Sequence, residues 1–107
     1  MMVDLELDDL KREFLAEADE KVREIQAKLD GEQSAESLER LTYLAHQLKG
    51  SGGSYGYERI SSEAAEIEKG VEKLAAGSDA ATEEKIQQHV VNLRAEAQKS
   101  ARELSIA

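Results

Sequence analysis

The chain has 107 residues, of which 14 are basic and 23 acidic, for a formal net charge of -9. That length fits one domain over residues 1–107, long enough to bury roughly 60–70% of the unfolded chain's surface. The absence of Cys excludes disulfides and thiolate metal sites, and a pI near 4.7 opposes nucleic-acid binding, which needs a basic face.

No apolar run approaches the roughly 20 residues that span a bilayer. The start, Met1 to Leu10, lacks the basic and apolar stretches of a signal peptide. The expectation is a cytoplasmic, membrane-free protein, with the Met start and short tail favouring a free-standing one. A charge of -9 mildly opposes self-association, which points to a monomer. Pro and Trp are absent and aromatics few, while Ala, Glu, Leu, Lys and Gln abound. These residues lose little rotamer freedom in helices.

Four segments carry the helical apolar period. The first runs Leu7, Leu10, Phe14, Ala18, Val22, Ile25 and Leu29 in steps of three or four. It is predicted to start after Asp8 or Asp9 and to stop at Asp30-Gly31. The second starts near Ser34, an N-cap candidate, and carries Leu38, Leu41, Ala45 and Leu48 into a glycine-rich stretch. The third carries Ile60, Ala64, Ile67, Val71 and Leu74 and ends at Gly77. The fourth follows Ser78-Asp79 with Ile86, Val90, Leu93, Ala97 and Leu104. Each has one apolar stripe and a charged back, so none is stable alone. Short connections predict an all-α, antiparallel up-down-up-down four-helix bundle.

His46 breaks the scaffold pattern. At about 100° per residue it falls roughly 130° from the centre of the second segment's apolar stripe, so it points to solvent. Gly50 lies one turn above it and Gly53 one turn further. A glycine inside a helix costs about 0.5–1 kcal/mol relative to Ala, yet bare backbone there lets another protein approach the imidazole. Lys49, at i+3, places an ammonium beside the ring, suited to offset charge on a phosphoryl group carried there. The same glycines also read as a plain helix stop, and a surface His as a merely solvated residue.

The stretch Ala45-His46-Gln47-Leu48-Lys49-Gly50-Ser51, then Gly56, then a helix reaching Ile67-Glu68, resembles the signature of histidine-containing phosphotransfer (HPt) domains. It is similar also to the phosphotransfer domain of chemotaxis histidine kinases. The motif covers about residues 41–68. Gly52 and Gly53 depart from it, standing where the family often has Ala or Ser.

The resemblance implies that His46 is the phosphoacceptor, usually at Nε2, and that Lys49 assists beside the phosphate. It implies that Gly50 clears the approach and that Gly56 permits close passage between helices. Glu68 matches a glutamate that hydrogen-bonds the other imidazole nitrogen in the chemotaxis domains. By helical stepping Glu68 lies roughly 80° off the third stripe, a flank from which a neighbouring helix is within reach.

The implied function is a phosphorelay carrier, taking a phosphoryl group from a receiver-domain aspartyl phosphate and passing it to another receiver. Its partners would be response-regulator receiver domains and a sensor or hybrid histidine kinase. Mg²⁺ would be supplied by the receiver, and this chain would bind no metal or cofactor of its own. With no glycine-rich nucleotide loop or kinase signature, autonomous kinase activity is not expected. Alternatives are a kinase-attached input domain phosphorylated from ATP by a separate catalytic domain, and a non-catalytic helical interaction module. Tyr43, at i-3 from His46, and Leu15, on the edge of the first stripe, are docking candidates. Tyr55 and Tyr57 read as packing at the junction of the second and third segments, and His89 as structural or merely exposed.

Overall fold

A computed structural model describes residues 2–77 and 79–106; Ser78, expected at the start of the fourth segment, lies outside them. The described residues form α1 (Met2–Asp30), α2 (Ala35–Ser54), α3 (Glu58–Ala76) and α4 (Ala80–Ile106), with no strand among them. Each stripe is amphipathic, so the four close on one core. It runs from Phe14 to Leu29 on α1 and from Leu41 to Leu48 on α2, then from Ile60 to Leu74 on α3 and Ile86 to Ala97 on α4. Packing runs α1 to α2, α2 to α3, α3 to α4 and α4 back to α1.

Polar side chains tie particular levels of neighbouring helices together. Arg40 on α2 donates twice to the Glu24 carboxylate on α1, at 2.7 and 3.1 Å. Gln26 near the end of α1 donates to Gln87 near the start of α4 at 2.8 Å, and Gln33 donates to Glu83 at 3.1 Å.

The helix ends follow from local chemistry. Ser34 caps α2 as expected: its Oγ accepts from the Ser37 N–H at 3.1 Å, and Ser37 Oγ accepts in return from the Ser34 N–H at 2.9 Å. At the start of α4 the Asp79 carboxylate accepts from the Ala81 N–H at 3.0 Å and from the Thr82 hydroxyl at 3.1 Å, without the reciprocal backbone bond.

At the other end of α2, Tyr57 N–H donates to Gly52 O at 2.8 Å and Gly56 N–H to Gly53 O at 3.1 Å. This Schellman pair needs a left-handed residue at Gly56, whose φ is 83°. Gly56 is therefore a turn residue, and not the site of close helix passage that the resemblance implied. A methyl group there would meet nothing within 4 Å.

Close passage falls to two other glycines. A methyl at Gly52 would lie 3.1 Å from the Ser61 backbone nitrogen on α3, and one at Gly70 would lie 2.5 Å from Cγ1 of the buried Ile86 on α4.

Two expectations for α1 need correction. The helix begins at Met2 rather than after Asp8 or Asp9, because no Pro or Gly interrupts the residues before them. Leu7 and Leu10 are 42% and 46% exposed rather than core. Phe14 stacks on Tyr55 and Tyr57, with centroids 5.2 and 5.9 Å apart, and so marks the level of the α2–α3 connection. α1 continues past that level, where α2 and α3 have ended.

Gly70→Ala is expected to destabilise the protein by about 1–3 kcal/mol through overpacking against Ile86, read as a lower midpoint in urea unfolding. Gly50→Ala is expected to stabilise it by about 0.5–1 kcal/mol in the same assay, since a methyl at Gly50 meets nothing within 4 Å.

Candidate functional site

α2 continues to Ser54, so Gly50, Gly52 and Gly53 lie inside the helix and are not its stop. The helix therefore presents His46, Lys49 and Gly50 as one wall. The His46 side chain is 67% exposed, and its ring is held from one side only. Its Nδ1 lies 2.9 Å from Glu68 Oε2 on α3. The other oxygen of the same carboxylate, Oε1, accepts from Lys49 Nζ at 2.8 Å.

The Lys49 hydrogen bond is the main reason that Glu68 titrates below its ordinary value of 4.5, with the His46 contact adding to it against the opposing effect of burial. A carboxylate that stays ionised only accepts, so Nδ1 must be the protonated ring nitrogen. In the neutral ring, Nε2 then carries the free lone pair, on the edge turned away from Glu68.

Three features fix the carboxylate's position. Ser61 Oγ on α3 donates to the Lys49 carbonyl at 2.7 Å, pinning α2 to α3 one turn from the imidazole. Gly52 allows the close approach of α2 to Ser61. The Gly56 turn sets where α3 begins.

Sequence reasoning missed the roles of Ser61 and Gly52. Gly52 was detectable in principle, because it continues the stripe Leu41, Ala45, Leu48 by one more step of four. Ser61 gave no signal, since a Ser near the start of a helix has many uses.

The remaining predicted residues separate. Gly53 is exposed, and a methyl there would meet Ser61 Oγ at 3.6 Å, an ordinary contact. Tyr43 is 51% exposed on the His46 wall; its hydroxyl accepts from Gln47 Nε2 at 2.7 Å, and the Arg40 guanidinium sits 5.3 Å from its ring centre.

Leu15 does not join that surface. It is 3% exposed, because the residue next to Phe14 on the helix turns toward α4, where it lines a groove with Ala97, Ala101 and Leu104. This corrects its assignment as a docking residue. His89 is neither free nor merely packed: its Nδ1 lies 2.7 Å from Glu63 Oε2.

Fold and site together describe a helical protein with one largely exposed imidazole, oriented from behind by a carboxylate and flanked by open backbone. The Hpt domain family matches residues 9–103, and the chain belongs to that family. Hpt domains carry out histidine phosphotransfer in phosphorelay signalling, working with histidine kinases and receiver domains. No curated protein and no solved structure matched the chain. Among the described residues no helix is long and apolar enough to cross a membrane.

A Glu68→Gln variant is expected to be less stable than the parent near neutral pH, with the gap closing on acidification. The folded-state value of Glu68 lies below 4.5, so its contribution is present above the unfolded value and is lost as pH falls through the folded one. Urea unfolding of both proteins at neutral pH and below 4.5 checks the sign; a gap that widens in acid contradicts it.

Proposed function

We propose that this chain is a phosphorelay carrier in which His46 Nε2 takes a phosphoryl group from the aspartyl phosphate of one receiver domain and passes it to the aspartate of another. The observation that carries this reading is the 2.9 Å contact of Nδ1 with Glu68 on a ring that is 67% exposed.

The Nε2 lone pair attacks phosphorus, the acyl phosphate P–O bond breaks, and the receiver carboxylate leaves with that electron pair. Bond formation places positive charge on the ring, and the Glu68 carboxylate, already accepting from Nδ1–H, offsets it. Lys49 uses one of its ammonium hydrogens on Glu68 and keeps two for phosphoryl oxygens. Gly50, where even a methyl group would meet nothing within 4 Å, leaves room for the receiver to bring the group in line with Nε2.

In this reading the metal ion is Mg²⁺ and belongs to the receiver. The Glu68 carboxylate that contacts His46 already accepts from two donors. Tyr43, on the same wall, supplies apolar contact to the docked receiver.

The whole chain acts as one up-down-up-down unit, monomeric and cytoplasmic. That topology is supported by the levels that meet: Glu24 with Arg40, Lys49 with Ser61, Glu63 with His89, and Gln26 with Gln87. Each of these pairs joins neighbouring helices, and on α2 and α3 the order reverses, His46 meeting Glu68 and Lys49 meeting Ser61.

Incubation with a phosphorylated receiver is expected to transfer an acid-labile, base-stable phosphoryl group to the parent protein and none to His46→Gln. Transfer that survives this substitution overturns the assignment. Gly50→Leu is expected to slow receiver-dependent transfer while His46 still reacts with phosphoramidate, a donor small enough to ignore the added side chain. Equal loss with both donors would show that Gly50 does not act by clearing the approach.

A further inference from the structure

A second imidazole in this chain is built like the first. His89 on α4 brings Nδ1 to 2.7 Å from Glu63 Oε2 on α3, and Asn92 Nδ2 donates to the same oxygen at 3.5 Å. The pair is more enclosed than the His46 site, with side-chain exposures of 29% for His89 and 20% for Glu63. With Nδ1–H donated to a carboxylate, the free lone pair is again at Nε2.

His89 also lines a groove of about 190 Å³ between α3 and α4, floored by Gly70 and Ile86, with Lys69, Lys73 and Lys85 along it. Lys85 stands one turn from His89 on the same helix. Lys69 is paired with Glu66 at 3.6 Å. Glu66 lines the groove as well, so in a chain of net charge -9 three lysines against one glutamate leave a local excess of positive charge beside the oriented imidazole.

We infer that His89 is a second phosphoacceptor, open to small-molecule phosphodonors and closed to receiver domains. The groove admits a phosphoryl group between the lysines, whereas the half-buried ring lacks the bare-backbone approach that Gly50 provides at His46. With phosphoramidate as donor, the Nε2 lone pair attacks phosphorus, the donor's P–N bond breaks, and ammonia leaves. The positive charge formed on the ring faces Glu63, and Lys73 and Lys85 meet the phosphoryl oxygens.

The test uses the full-length His46→Gln protein, so that it does not depend on the function proposed for His46. Labelling by phosphoramidate is followed by intact mass, with fragment ions locating the group. The expected result is one acid-labile, base-stable phosphoryl group on His89. It should form about tenfold faster in the folded chain than in the urea-unfolded chain, the scale of a charge-assisted contact or two. A Lys73→Gln/Lys85→Gln pair, checked for helicity by circular dichroism, should lower the folded rate toward the unfolded one. A phosphorylated receiver should leave His89 unlabelled. The inference is overturned if His89 stays unlabelled by phosphoramidate, if it labels no faster folded than unfolded, if the lysine pair leaves the rate unchanged, or if a receiver labels it.

Discussion

One carboxylate on α3 holds two side chains of α2. Glu68 is mostly buried, 14% exposed, and each of its oxygens accepts from a different donor, Lys49 on one and the imidazole Nδ1–H on the other. The lysine keeps the carboxylate ionised, and the ionised carboxylate keeps the proton on Nδ1. The free lone pair is thereby left at Nε2, turned away from Glu68. The exposed ring therefore stands oriented before any partner arrives, at the cost of one charged residue held between two helices. That arrangement depends on the α2–α3 register, which Gly52, Ser61 and the Gly56 turn set together.

The glycines of this chain do distinct jobs that their clustering conceals. Gly52 and Gly70 are packing residues, since a methyl on either would press into the neighbouring helix. Gly56 is conformational, with a φ of 83° that side chains rarely adopt. Gly50 meets nothing and has ordinary helical geometry. The fold gives no reason for a glycine at that position. In the proposed relay, helix stability is lost there in exchange for access to His46.

Much of the fold was legible because it is written in helical period and capping chemistry. The stripes from Phe14 to Leu29 and from Ile60 to Leu74, and the Ser34 cap, follow from short-range rules. The period alone could not say how far each helix's neighbours extend. Leu7 and Leu10 belong to a continuous stripe, yet stand exposed because α2 and α3 end near the level of Phe14. Leu15 and Leu44 sit off the narrow stripes but are buried, because each helix touches two neighbours and so needs a wider apolar face. At the site, the outward position of His46 and its neighbours Lys49 and Gly50 followed from stepping along one helix. The His46–Glu68 contact was reached only through the family resemblance; the Lys49–Glu68 bond, the Ser61 tie and the His89–Glu63 pair each join two helices, so they depend on inter-helix register that a single sequence does not display.

The protonation pattern of the His46 ring tests the central claim most directly. Long-range proton–nitrogen correlation NMR on the ¹⁵N-labelled protein distinguishes the two tautomers of the neutral ring. The account predicts a protonated Nδ1 and a bare Nε2, with the preference weakened in Glu68→Gln. A ring protonated at Nε2, or a tautomer mixture that Glu68→Gln leaves unchanged, would contradict it.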